Sequence, residues 1–351
     1  MMTERLWADR TAEAGTHQGE ADVNYRSVAD LNDDIVTWSR RLPGNINVIV
    51  GIPRSGLLVA NLLALHMNLP MTDVDGLIEG RLIAAGPRLN ATRPTVPDLD
   101  TLRVLVVDDS VWSGNQMRKI RERITAARLR HVIFYGAVYI TPNATDLVDY
   151  YHEKVALPRA FEWNVLHHPS LTASCMAMEG VLWPAEIGRI DAAEGLRELR
   201  PIFAPTQPIG RLIATQPERL RVPIQEWLAH HRISYGELVL LDPTDSSIGR
   251  DEGCFVRAKA SLYRHSNAWI FIEGTIERAA ALAQMVRRPV YSACARRMLF
   301  PGRGGKERDM PLLRDRLNWR ARDAFARAYR RIRALVQLSG DSRAIRNTSN
   351  R

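Results

Sequence analysis

Cysteine is scarce in this 351-residue chain: Cys175, Cys254 and Cys294 stand far apart, with no Cys-x-x-Cys spacing. That argues against a disulfide framework and against a cysteine-built zinc site, and makes a reducing cytoplasm the simplest expected setting. Long apolar runs are missing too. No stretch approaches the roughly 18–20 residues that a membrane span requires, so no membrane association is expected. The first twenty residues, MMTERLWADRTAEAGTHQGE, mix charges of both signs without an apolar centre. They read as a disordered tail (residues 1–24) rather than a signal peptide. Internal repeats are absent. Lysine is rare, supplying 4 of the 48 basic residues. This bias also suits a GC-rich genome and carries little functional weight.

What the chain does have is length enough for two domains plus tails and an uneven charge. The net charge is +9, yet Arg287–Arg351 alone holds 18 basic and 5 acidic residues, leaving −4 for the rest. The basic character therefore belongs to the C-terminus. Within it, Pro311–Leu338 sets Leu313, Leu317, Ala321, Ala324, Ala328, Ile332 and Leu335 near one helical face, with arginines on the others. The plain reading is a helix docked on its own protein. The sharper one is contact with nucleic acid or an acidic partner, because clustered arginine attracts phosphate.

Periodicity organises the remainder. Leu31–Leu42 reads as a helix stopped by Pro43-Gly44, Asn47–Val50 as a short strand, and Leu57–His66 as an apolar helix. Val74–Asp100, rich in Gly, Pro and Arg, reads as a long loop. Arg103–Val107 has the unbroken β-branched and apolar run of a central buried strand, followed by a helix over Asn115–Arg128 and a strand over His131–Ile140. This alternation predicts a parallel α/β sheet with ligands at the carboxyl ends of its strands. A second alternating unit begins near Ser170. Its expected strands are Ser174–Met178, Gly210–Ala214, Glu237–Leu241 and Trp269–Glu273, with helices Pro217–His230 and Thr275–Val286. A hinge-like GRGGKERD and a basic helix over Leu312–Leu338 close the chain.

The informative segment is VLVVDDSVWSGNQM, Val104–Met117. Its apolar residues put Asp108 and Asp109 at the carboxyl end of a buried strand, and Ser110–Asn115 turn into a helix. Backbone N–H groups at that helix start, the Ser113 hydroxyl and the small Gly114 make a phosphate cradle. The neighbouring carboxylates can accept hydrogen bonds from vicinal ribose hydroxyls or hold a hydrated Mg²⁺. Upstream, VIVGIPRSGLLVA (Val48–Ala60) is a second strand–loop–helix. The strand runs into Gly51, Ile52-Pro53-Arg54-Ser55 make the turn, and Gly56 leads into the helix. The bland alternative for each is an ordinary strand–helix turn, where Asp, Ser and Gly are also favoured.

Two such loops in this order resemble the type I phosphoribosyltransferases. The resemblance implies a parallel sheet flanked by helices over residues 25–165 and a substrate, phosphoribosyl pyrophosphate (PRPP), used with Mg²⁺. It implies that Asp108 and Asp109 bind the ribose and the metal, and that Ser110, Ser113, Gly114, Asn115 and Gln116 bind its 5′-phosphate. It also gives the Gly51–Gly56 loop, with Arg54, Ser55 and Gly56, to the pyrophosphate. Val74–Leu89 would be a catalytic flexible loop that closes over PRPP and excludes water, with Glu79, Arg81 and Arg88 reaching the pyrophosphate. Many members carry Asp or Ala where this chain has Trp112. A carboxylate there serves as a base in some purine enzymes, so Trp112 puts purine salvage in doubt. The acceptor is expected near FEWNVLHHP (Phe161–Pro169): Phe161 and Trp163 could stack on a planar base, and Asn164, His167 or His168 could hydrogen-bond it. The competing reading is junction packing.

SCMAMEGVLW (Ser174–Trp183) resembles the first motif of haloacid-dehalogenase-type phosphatases, continued by Thr215, Lys259 and Glu273. The resemblance implies a second Rossmann-like α/β domain over residues 166–300, ahead of the basic segment 301–351. The chemistry is damaged, however. Ala177 stands at the nucleophile's position, Met178-Glu179 stand where x-Asp is expected, and Gly274 follows Glu273 where a further metal-binding acid is common. Alanine cannot form an aspartyl-phosphate, so no phosphatase activity is expected. The leading expectation is a Mg²⁺-dependent phosphoribosyltransferase with an unidentified acceptor, and a homodimer is one expected state. The alternative is a PRPP- or nucleotide-sensing binding module with a basic C-terminus for nucleic acid or a partner.

Overall fold

The run Arg103–Val111 is buried along nearly its whole length, as a strand must be when helices cover both faces of its sheet. In the computed structural model, which describes residues 23–83, 101–185, 195–196, 198–245 and 251–301, this strand is the centre of a five-stranded sheet. Residues through Pro301 cluster as one unit and Gly302–Arg351 as another. The latter, with the expected basic helix and the N-terminal tail, lies outside the described residues.

The first sheet is built from β2 (Val48–Gly51), β3 (Met71–Asp73), β4 (Arg103–Val111), β5 (Val132–Ile140) and β6 (Tyr150–Lys154), in the order β3-β2-β4-β5-β6. Every pairing is parallel. The chain winds one way from β2 and the other way from β4, so the switch point lies between these two strands. Helices α1 (Val28–Ser39), α2 (Ser55–Met67), α3 (Val74–Ile78) and α4 (Asn115–Ala126) connect them. Helix α1 starts a turn earlier than its apolar spacing indicates. Ser27 accepts from the Asp30 N–H at 3.1 Å and donates its own N–H to Asp30 at 2.8 Å, a reciprocal cap. The expected loop over Val74–Asp100 begins instead with α3, directly after β3. Asp73 caps this short helix through the Gly76 N–H at 2.6 Å, and residues 84–100 lie outside the described residues.

A second, six-stranded sheet follows. It contains β8 (Ser174–Ala177), β9 (Ile209–Ala214), β10 (Tyr235–Leu240), β11 (Ile270–Glu273), β12 (Val290–Ser292) and β13 (Arg297–Leu299), ordered β10-β9-β8-β11-β12-β13. All pairings are parallel except β12 with β13. Its switch point falls between β8 and β11. Helices α5 (Arg221–His230), α6 (Glu252–Arg264) and α7 (Ile276–Val286) accompany it. Asp251 caps α6 and Thr275 caps α7.

Two three-residue strands that no periodicity marks join the sheets. β1 (Asn24–Arg26) pairs in parallel with β7 (Arg159–Phe161). Alternation along β7 sends Phe161 into the core of the first sheet and Ala160 into that of the second. Val23, Val165 and Leu166 pack in the second core as well. Among the described residues no helix is long and apolar enough to cross a membrane.

Candidate active site at the strand ends

The carboxyl ends of β2 and β4 meet at the first switch point, where parallel sheets take their ligands. Strand β4 runs on through Val111, with Ser110 paired to Tyr139, so Asp108 and Asp109 are strand residues rather than the start of the turn. Both are buried, at 8% and 6% exposure. The Asp108 carboxylate accepts the Asp109 N–H at 2.9 Å. Burial, followed by the adjacent Asp109 charge, raises the Asp108 carboxyl well above the ordinary aspartate range. Two adjacent buried carboxyl groups are a donor set that a hard cation or a diol would suit. No group of three or more metal-binding side chains occurs among the described residues. A Mg²⁺ ion would therefore take this pair plus substrate and water oxygens, as that ion commonly does.

The two sequence-predicted loops touch at this point. A Cβ on Gly56 would sit 2.6 Å from the Val107 carbonyl oxygen and 3.1 Å from Asp108, so glycine is what allows the β2–α2 loop against β4. Gln116 crosses back, donating its side-chain N–H to the Pro53 carbonyl at 3.1 Å. Gly114 has φ +71°, caps α4, and leaves no room for a side chain against Leu147. The Asn115 N–H reaches the Ser113 hydroxyl at 3.5 Å, and Arg118 donates to Asn115 Oδ1. Arg54 immediately precedes α2.

The Phe161–Pro169 segment adjoins the acids. The Trp163 indole N–H donates to Asp109 at 2.7 Å, and Arg54 donates to Asn164 Oδ1 at 3.2 Å. Phe161 is a buried member of an aromatic cluster, 5.2 Å from the Tyr139 ring and 5.0 Å from Trp163, rather than an open platform. His167 meets Thr206 at 3.2 Å, and burial with the nearby Arg54 lowers its pKa. His168 accepts the Ser170 N–H on Nδ1 at 3.2 Å, and burial followed by Arg159 holds it below the ordinary imidazole range. Glu79 and Arg81 are exposed and pair with each other at 2.7 Å. Among the described residues no hydrogen bond joins them to the acids, and Arg88 lies outside the described residues. Sequence reasoning missed the Trp163–Asp109 bond and Arg159, since a three-residue strand carries no periodic signature.

Residues 24–169 match the phosphoribosyl transferase domain. The match begins at β1 and ends on the last residue of FEWNVLHHP, so the phosphoribosyl transferase domain includes the β1–β7 pair and both loops. Solved structures similar to the chain include a xanthine-guanine-hypoxanthine phosphoribosyltransferase of Helicobacter pylori, with 21% identity, TM-score 0.31, covering 41% of this chain and 95% of that one. A purine phosphoribosyltransferase from Pyrococcus horikoshii is similar at 23% identity, with TM-score 0.30, over 40% of this chain and 93% of its own. A hypothetical protein from Neisseria gonorrhoeae with bound ppGpp is similar at 14% identity and TM-score 0.30, over 42% and 92%. A search of curated proteins found no match.

The second switch point lies outside the phosphoribosyl transferase domain and is closed. Ala177 ends β8 and is fully buried. Glu273 ends β11 and is paired by Lys259 of α6 at 3.0 Å, with side chains 1% and 4% exposed. Glu179 accepts the Thr215 N–H at 2.6 Å on one oxygen, while its other oxygen is buried and accepts nothing among the described residues. Burial raises the Glu179 carboxyl, favouring its neutral form.

Proposed function

We propose that this protein is a Mg²⁺-dependent phosphoribosyltransferase that moves the 5-phosphoribosyl group of PRPP to a small-molecule acceptor and releases pyrophosphate. The observation that carries the reading is the buried Asp108–Asp109 pair at a sheet switch point, bordered by two loops that touch each other. The phosphoribosyl transferase match over the same residues supports it.

In this reading Asp108 and Asp109 take the ribose hydroxyls and would hold the metal, which when bound would supply positive charge for the departing pyrophosphate. Backbone N–H groups over Ser110–Gln116 take the 5′-phosphate. Arg54, with the N–H groups of Gly51–Gly56, takes the pyrophosphate. The C1–O bond breaks with its electron pair going to pyrophosphate, C1 passes through an oxocarbenium-like centre, and an acceptor atom forms the new bond. Trp163 fixes the orientation of Asp109. Arg81 is assigned to closure over PRPP.

The second sheet is, in our reading, a haloacid-dehalogenase-like domain over residues 166–300 that has lost its chemistry. With Ala177 at the nucleophile position and Lys259 neutralising Glu273, it hydrolyses no phosphate ester and serves as scaffold. The decisive experiment incubates the full chain with PRPP, Mg²⁺ and a panel of acceptors while pyrophosphate release is followed. Release with one acceptor class supports the transferase. PRPP binding without release from any acceptor would instead make the domain a PRPP sensor.

A further inference from the structure

Strand β7 carries a side chain that the catalytic reading leaves unused. Arg159 shares the Phe161 face of β7, with its guanidinium carbon 5.2 Å from the Phe161 ring. Its Nη1 is buried and donates to nothing among the described residues, and it makes no ion pair there. A guanidinium has five donors in a fixed fork, and burying any of them unmatched is costly. The charged groups felt from the surrounding elements are Asp109 on β4 and His168 after β7: Asp109 favours the Arg159 cation, while Arg159 and burial disfavour protonation of His168. Desolvation brings Arg159 down to about 10, still charged at neutral pH. Asp109 spends an oxygen on the Trp163 indole, so it is not a dedicated partner.

A half-buried cation beside the proposed reaction centre, with its buried Nη1 unspent, is a receptor for an anion that arrives with the substrate. The metal, Arg54 and the loop amides already account for the phosphates of PRPP. We propose that Arg159 recognises an anionic group of the acceptor, a carboxylate or the oxyanion of an acidic heterocycle, so that the molecule receiving the phosphoribosyl group is an acid rather than a neutral base. This rests on the transferase reading. Arg159 reads the acceptor's charge, Trp163 lends an aromatic edge, and Phe161 stays in the core as the surface under the guanidinium.

The test uses the full chain saturated with Mg²⁺ and inorganic pyrophosphate, so that no turnover occurs. Pyridine and pyrimidine carboxylates are titrated calorimetrically against their matching carboxamides. The carboxylates should bind about tenfold tighter or more, as expected for a charge-assisted contact. Arg159→Gln should erase that preference and Arg159→Lys should keep part of it, with the PRPP-induced thermal shift unchanged in both. The carboxylate–carboxamide comparison on the unaltered chain stands even if a variant fails to fold. PRPP binding with no preference in any matched pair overturns the proposal alone. Loss of the PRPP shift in Arg159→Gln also overturns it, making Arg159 the counter-ion of Asp109. An unaltered chain that binds no PRPP overturns the transferase reading and this proposal together.

Discussion

The two sheets of this protein place their switch points alike and fill them oppositely. At the first, between β2 and β4, two buried carboxylates adjoin each other with no lysine or arginine in ion-pair contact among the described residues. At the second, between β8 and β11, the strand-end acid Glu273 is tied to Lys259 and the neighbouring strand ends in alanine. One site keeps an unresolved charge that a ligand can settle; the other has settled it internally. A parallel sheet supplies the location, and the residues at the strand ends decide whether chemistry is available there.

Breaking the settled site should cost most. Lys259→Met leaves Glu273 buried without its cation, and such truncations destabilise by about 3–5 kcal/mol. Denaturant midpoints should fall accordingly, and the double variant Lys259→Met with Glu273→Leu should recover most of the loss. Full stability in the single variant would mean that the pair is not buried as described.

The same kind of change at the first sheet should act on ligand rather than on fold. Asp108→Asn with Asp109→Asn should abolish the thermal shift given by Mg²⁺ and PRPP. That shift corresponds to about 2.7 kcal/mol at a hundredfold excess over Kd. A shift that persists in the folded double variant would remove these residues from the site. Arg54→Ala should weaken PRPP binding by about 1.5–3 kcal/mol and ribose-5-phosphate binding far less, since Arg54 is assigned to the pyrophosphate. Calorimetry with both ligands decides this, and equal losses would make Arg54 structural.

Proton linkage sharpens the contrast further. Asp108 is raised in the folded state, so the folded protein binds the extra proton, and stability is lost as pH rises through the interval above the ordinary aspartate value. Asp108→Asn should flatten that decline and raise the melting temperature of the ligand-free protein at neutral pH. PRPP with Mg²⁺ should bind better over the same rise, because the pair must be ionised to receive them. His168 is lowered, so the unfolded chain takes its proton first, and a smaller loss of stability is expected as pH falls below about 6.5. His168→Gln should remove that slope.

Much of this arrangement is legible in the sequence, because long apolar runs and turn residues are local. β4, its double Asp and the two glycine loops follow from runs such as VLVVDD, whose burial leaves few alternatives. Strands Ser174–Ala177, Ile209–Ala214 and Ile270–Glu273 fall within a residue of their expected ends for the same reason. What is not legible is set by partners distant in the chain. Three-residue strands such as β1 and β7 exist only because each finds the other across more than a hundred residues. The Trp163–Asp109 bond and the unspent donors of Arg159 are likewise tertiary facts. Phe161 shows the limit from the other side: an aromatic in a suggestive motif has its faces taken by Tyr139 and Trp163.

The strand β7, with Ala160 in one core and Phe161 in the other, ties the two cores together. A change in the second sheet that shifts Ala160 moves its neighbours Arg159 and Phe161 with it, so drift in the second core is registered in the first. A substitution confined to the second core can therefore displace Arg159 and Phe161 without touching the first sheet itself.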